Sequence, residues 1–148
     1  MSGLQLFDDR LSALINNLSP AARKEMARTI AKKLRASQQQ NIKSQRAPDG
    51  TPFKPRREGA ARNKKGRVKR EMFAKLRTAK YMKATATDSE AVVGFVGKVQ
   101  RMARVHHYGL RDRPARRGKE VAYDERPLLG FNDDDLQMIE TAIISHLS

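Results

Sequence analysis

The chain has 148 residues, with 31 Lys and Arg against 16 Asp and Glu, and a formal net charge of +15. This length fits one domain, and the positive charge favours an anionic partner such as nucleic acid or an acidic protein surface. The lack of cysteine excludes disulfide scaffolds, thiolate metal sites and cysteine nucleophiles. No uncharged run approaches the roughly 20 apolar residues that span a bilayer, and residues 1–10 do not resemble a signal peptide.

Two helices are predicted at the start of the chain. Apolar residues recur at helical spacing over residues 4–18, and Ser19-Pro20 is typical of an N-cap followed by the first position of a new helix. The second helix is expected from Pro20 to about Ser44. Its predicted buried side comprises Ala22, Met26, Ile30 and Leu34. Beyond Leu34 the sequence becomes glutamine-rich, so this end is expected to be solvated or packed on a neighbouring subunit.

The centre of the chain combines turns with a strongly basic segment. Pro48-Asp49-Gly50 is typical of a turn, and Phe53, between two prolines, is expected to dock on the core. Residues 54–83 contain 13 basic and two acidic side chains, whereas residues 84–148 contain nine basic and ten acidic ones. The stretch 54–70 has too few apolar residues to offset its ordering entropy, so we expect a mobile basic loop there. A short helix is predicted over 71–77.

A hairpin and two further helices are predicted in the remainder. Residues 81–87 and 91–96 are strand-like, and residues 88–90 suit the turn between them. A helix from Val99, with Met102 and His106 on its buried face, should end at Gly109. A second basic loop is expected over 111–119 and a short strand over 121–123.

The last helix should begin after Asn132, an N-cap residue, with acidic side chains in its first turn. Its expected buried stripe comprises Leu136, Ile139, Ile143 and Leu147. The order of the elements lacks regular strand–helix–strand alternation, which favours an α+β fold. We expect a small antiparallel sheet packed with the N-terminal helices and the C-terminal helix, together with the long basic loop.

The sequence offers no catalytic or metal site. It lacks the phosphate-binding, dinucleotide-binding and serine-hydrolase motifs. His106 and His107 are adjacent and diverge on a helix, so we expect one packed and one exposed histidine rather than a metal pair. The acidic run 133–135 lacks the Gly and Glu that a calcium loop requires. We therefore expect no enzyme activity, no metal and no cofactor.

Several short strings occur together in a characteristic order. They are QQQNI at 38–42 with PDGTPF at 48–53, MF at 72–73 with LR at 76–77, VGF at 93–95 with ARVHHYG at 103–109, and RPLLGF at 126–131 before a terminal helix ending in ISHL. In this order, over roughly residues 4–147, the chain resembles the phage virion morphogenesis family. These are tail completion proteins of temperate contractile-tailed bacteriophages, with Mu-like relatives. His107 stands where the resemblance would lead us to expect glutamine.

The resemblance implies a structural, non-enzymatic virion protein that completes the phage tail and helps to join it to the DNA-filled head at the neck. It implies one domain over residues 1–148, assembled as a homo-oligomeric ring. Partners would be other tail and neck proteins (the tail tube or terminator and the head–tail connector), with contact to packaged DNA also open and no membrane. The protein would be in the virion tail or neck, and in the host cytoplasm during assembly.

The resemblance also implies roles for individual residues. Electrostatic contacts with partner proteins or DNA would come from Arg56, Arg57, Arg62, Lys64, Lys65, Arg67, Lys69 and Arg70. Structural roles would fall to Pro48, Asp49, Gly50, Phe53, His106, Gly109, Arg126, Pro127, Leu129 and Gly130. The alternative is a stand-alone nucleic-acid-binding protein without sequence specificity that uses the basic 54–83 segment.

Overall fold

The computed structural model describes residues 3–56, 71–114 and 117–147, with side chains from residue 9 onwards. The helices and strands are α1 (Gly3–Asn16), α2 (Pro20–Lys43), β1 (Met82–Ala86), β2 (Ala91–Phe95), α3 (Gly97–Tyr108), β3 (Arg111–Asp112), β4 (Val121–Ala122) and α4 (Asp133–Leu147). This α+β arrangement of helices and small antiparallel sheets is the predicted class. Most of the expected basic loop lies outside the described residues. In the part of the chain that is described, no helix combines the length and apolarity needed to cross a membrane.

The long helix α2 begins and ends almost as the sequence predicts. The Ser19 hydroxyl accepts a hydrogen bond from the Ala22 backbone N–H at 3.1 Å, and Pro20 occupies the first turn, where no intrahelical donor is needed. Ala22 itself is only half-buried, contrary to expectation, because the apolar contacts begin one turn later. The buried positions of α2 are Met26, Ala27, Ile30, Ala31, Leu34, Gln38 and Ile42. Helix α1 ends at Asn16, two residues earlier than predicted.

The predicted hairpin is confirmed. β1 and β2 pair antiparallel, with Met82 opposite Phe95 and Ala86 opposite Ala91. The Thr87 N–H donates to the Glu90 carbonyl at 2.8 Å and closes the turn. Both strands pack on α2.

The prediction of a short helix over residues 71–77 is wrong. The segment consists of turns, and Phe73 has φ +63°, in the left-handed region that interrupts a right-handed helix. Its ring lies edge-on to the rings of Phe53, at 5.7 Å between centroids, and His106, at 5.1 Å. Aromatic packing therefore accompanies a local backbone conformation that the apolar spacing did not reveal.

Helix α3 ends at Gly109 as predicted, since this residue is left-handed (φ 66°, ψ 51°). Met102, expected on the buried face, is 48% exposed. Residues 111–119 are not wholly a loop, because Arg111–Asp112 forms β3 and pairs antiparallel with β4.

The last helix is rotated relative to the predicted stripe. Leu136 is 55% exposed, whereas Asp135 is buried beside it. The Asp135 carboxylate accepts a hydrogen bond from the Asn132 N–H, and the Asn132 side-chain oxygen accepts one from the Asp135 N–H. This reciprocal pair is a capping box. The Asp135 carboxylate also accepts a hydrogen bond from the Ser37 hydroxyl. These polar bonds turn Asp135 towards α2 and Leu136 outwards.

Two groups of buried side chains hold these elements together, and α2 contributes to both. The larger comprises Ile42, Ala47, Phe53, Leu76, Met82, Val99, Ala103 and Leu128. The smaller comprises Met26, Ile30 and Ala142. Phe53 is therefore docked on the core, as predicted.

Candidate functional site

The turn at 48–50 is built by its own backbone and one carboxylate. The Gly50 N–H donates to the Ala47 carbonyl at 2.9 Å, and Gly50 has φ +91°, which glycine tolerates best. Asp49 Oδ1 accepts from the Thr51 N–H at 2.9 Å, and this bond lowers the pKa of the Asp49 carboxyl. The structure thus gives Asp49 and Gly50 local roles in the turn.

The turn is in contact with the segment 126–131, more than 70 residues later. The Pro48 carbonyl accepts from the Asn132 side-chain amide at 3.1 Å. A Cβ at Gly130 would lie 3.1 Å from Pro48 Cγ, so the backbone approaches the proline ring closely. Leu128, rather than Leu129, is the fully buried residue of this segment, while Leu129 and Pro127 are half-buried.

Arg126 clamps the chain at the start of the basic segment. Its side chain is buried, and its Nε and Nη2 donate to the carbonyls of Lys54 and Pro55 at 2.9 and 3.0 Å. Asp124 lies 3.8 Å from Nη2 and supplies a counter-charge. Two backbone carbonyls and a carboxylate thus satisfy a cation that would be costly to bury alone.

Arg56 is the one predicted electrostatic residue that the structure describes. It is exposed, and its Nη2 donates to the Glu71 carbonyl at 3.2 Å. Residues 56 and 71 are therefore adjacent in space. The other seven predicted contact residues, Arg57, Arg62, Lys64, Lys65, Arg67, Lys69 and Arg70, lie outside the described residues.

Both histidines of α3 are packed, so the prediction of one exposed histidine is wrong. His106 lies between the rings of Phe73 and Tyr123, with centroids 5.1 and 4.7 Å away. Burial lowers its pKa, and the positive charge of Arg126 lowers it further. His107 Nδ1 accepts from the Leu128 N–H at 3.0 Å. Burial lowers the pKa of His107, opposed by the Glu125 carboxylate. Both histidines therefore favour the neutral imidazole, and His107 holds segment 126–131 against α3.

Gln38 is the main residue whose role the sequence did not predict. It is 2% exposed, its Nε2 donates to the Gly130 carbonyl at 2.9 Å, and its Oε1 accepts from the Gly130 N–H at 3.0 Å. Gln39 Nε2 donates to the Arg77 carbonyl at 2.8 Å. These glutamines bond within the chain, so the expectation of a solvated end or a neighbouring subunit is wrong for them. Gln38 follows Leu34 by four residues, so both lie on the same buried face of α2. This spacing was the signal in the sequence that could have predicted the burial of Gln38.

A groove of about 600 Å³ lies between β2, α2, α3 and segment 129–131. Its lining is largely apolar, and the aromatic side chains of Tyr108 and Phe131 at its margin are 58% and 62% exposed. A smaller cavity of about 330 Å³ adjoins Arg56, His106 and Arg126. In the described ranges, no three metal-ligating side chains come together.

The model of the phage virion morphogenesis family matches residues 3–148. The chain belongs to this family. Tail completion protein S of Escherichia phage P2 is 45% identical over 148 residues, which cover 99% of each chain. No solved structure matches this family member.

Proposed function

We propose that this chain is a structural tail completion protein of a bacteriophage virion, without enzymatic activity. The observation that carries the proposal is the 45% identity to tail completion protein S along essentially the whole of both chains. Family membership over residues 3–148 supports the same role. The proposed unit is the entire chain, as one domain with a basic segment over residues 54–70.

The proposed partners are the tail and neck proteins, and the proposed action is to complete the tail so that it joins the DNA-filled head. The protein would assemble in the host cytoplasm as a homo-oligomeric ring and remain in the virion tail or neck. The arrangement of Arg56 beside Glu71 supports a basic segment whose two ends are held at one place on the folded core. Arg126 supports it further, because its bonds to Lys54 and Pro55 fix the first residues of the segment.

Electron microscopy of a lysate from a phage lacking this gene tests the role. We expect filled heads beside unattached tails or tails of abnormal length, and normal virions when the gene is supplied in trans. Intact, normally joined virions from the deletion phage would contradict tail completion. The basic residues would then have to be tested as a nucleic-acid site.

Charge reversal tests the basic segment separately. One variant reverses Lys64, Lys65, Arg67 and Lys69. The matched control reverses four exposed cations of α2, namely Lys24, Lys32, Lys33 and Lys43. Both variants carry the same change in net charge, so a difference between them reports on the position of the charges. We expect the first variant to reduce the yield of infectious particles well below that of the control. Equal yields would show that this segment makes no specific electrostatic contact.

A further inference from the structure

Among the described residues, one edge of β2 has no strand partner, because β2 pairs only with β1. The Val96 N–H donates to the Tyr81 carbonyl at 2.9 Å, and the Thr87 N–H to the Glu90 carbonyl at 2.8 Å. In an antiparallel ladder, residue pairs that exchange hydrogen bonds alternate with pairs that do not. Since the pairs 81–96 and 87–90 are bonded, the bonded pairs between them are 83–94 and 85–92. The N–H and C=O groups of residues 91, 93 and 95 therefore point away from β1.

These outward groups have no hydrogen-bond partner among the described residues. β2 has the sequence AVVGF, which contains neither a charged residue nor proline. Such residues normally prevent an edge strand from pairing with another chain. β2 thus carries unsatisfied ladder groups and none of the side chains that discourage strand addition.

The free edge opens into the groove of about 600 Å³, a volume within the range of about 300–1,000 Å³ typical of binding clefts. Leu34 and Ala103 contribute buried apolar surface to its lining, and segment 129–131 lines it as well. Gln38 pairs with both backbone groups of Gly130 much as a neighbouring strand would, so this part of the lining is held in place. The groove therefore presents backbone donors and acceptors beside apolar surface.

The charge of the groove indicates which kind of segment it accepts. In the described structure its lining contains Arg104 and no carboxylate, and Arg104 makes no ion pair. His107 also lines the groove, and its lowered pKa favours the neutral ring. The chain as a whole carries +15 and the stretch 57–70 is basic, so long-range charge repulsion disfavours a second copy or this stretch as the occupant. An acidic segment is electrostatically complementary.

We propose that the free edge of β2 docks an extended segment of an acidic protein partner. The segment adds a strand to the hairpin through the backbone of Ala91, Val93 and Phe95, places apolar side chains in the groove and sets a carboxylate beside Arg104. Main-chain bonds supply affinity in this mode of recognition, and the alternate side chains supply specificity. The inference concerns binding by the folded chain and does not depend on the stage of assembly at which the partner arrives.

Amide hydrogen exchange on the full chain tests strand addition. The probe is a capped seven-residue peptide of alternating valine and threonine that ends in two glutamates. We expect it to slow exchange at Val93 and Phe95, with little change at Val92 and Gly94, whose N–H groups already face β1. No slowing at millimolar peptide overturns the proposal. Concentration-dependent protection of the same amides without peptide also overturns it, because the edge would then belong to a second copy.

Charge variants test the predicted carboxylate contact. Arg104→Glu is expected to weaken peptide binding by about tenfold. Lys98→Glu, a control at an exposed position of the same helix outside the groove, should change it by less than about twofold. A probe peptide ending in two lysines should reverse the order and favour Arg104→Glu. Equal affinity of the two variants for the glutamate peptide would refute the proposed acidic partner.

Discussion

The buried amide of Gln38 gives the most direct test of the physical account of this fold. Gln38→Ala removes one donor and one acceptor at once, both of which bond the backbone of Gly130 at 2.9 and 3.0 Å. We expect the variant to fold and to be less stable, because segment 129–131 loses its attachment to α2. The exposed fraction of Gln38 is 2%, so both bonds are shielded from water in the native protein.

The expected loss follows from the two bonds and the space left behind. Each net hydrogen bond contributes about 1 kcal/mol, and a buried group left unpaired costs about 1–3 kcal/mol. Gly130 is half-buried beside the open groove, so water reaches its freed backbone groups and the lower value applies. Two bonds and the lost packing of the side chain then give a decrease of about 3 kcal/mol in the free energy of unfolding.

Urea unfolding with linear extrapolation measures the change, and Gln40→Ala is the matched control. Gln40 lies two residues later on α2, is exposed and donates only to the Ser44 hydroxyl at 3.1 Å, so its loss should be below about 0.5 kcal/mol. The altered helix propensity is common to both variants and cancels in the comparison. Equal stability of the two variants would refute the assignment of Gln38 as the anchor of Gly130.

Three further predictions concern the segments that meet at α3. Gly109→Ala should destabilise the protein by about 3 kcal/mol, because Gly109 has φ +66° and the added Cβ would lie 2.7 Å from the Glu125 backbone nitrogen. Gly50→Ala is the control: Gly50 also has a positive φ, but the added Cβ would meet open space, so the loss should be only about 1 kcal/mol. Thermal melts of both variants measure the difference. Arg126→Met should lower the free energy of unfolding by about 2–3 kcal/mol because the carbonyls it bonds lose their charged donor; urea unfolding checks this, and an unchanged midpoint would contradict the clamp. Folding lowers the pKa of His106, so the unfolded chain binds the proton more tightly than the folded one. The free energy of unfolding should therefore fall as the pH drops below about 6.5. His106→Gln should flatten this pH dependence in melts recorded at several pH values, and an unaltered slope would contradict the assignment.

Local signals in the sequence were sufficient for several elements. Ser19-Pro20 fixes the start of α2, because a capping hydroxyl and a proline without N–H satisfy the first turn whatever packs against it. Gly109 ends α3 for a similar reason, since a left-handed residue with little steric restriction is needed there. The hairpin was also predictable, from two short strand-like runs separated by a polar turn.

Tertiary contacts decided what local patterns could not. Phe73 lies at positive φ in a run that reads as helical, with its ring packed against Phe53 and His106. Leu136 is exposed because the buried carboxylate of Asp135 bonds the Ser37 hydroxyl of α2. Neither outcome follows from hydrophobic spacing, which carries no information about partners far along the chain.

The sequence by itself determined the α+β class, the bounds of α2 and the hairpin, and the concentration of positive charge in residues 54–83. These features depend on capping, turn chemistry, periodicity and composition, which are properties of neighbouring residues. Only the tertiary structure decided that Gln38 binds Gly130, that Arg126 holds the start of the basic segment, and that among the described residues β2 has a free edge beside Arg104. Each of these depends on residues that are distant in sequence and become neighbours only when the chain folds.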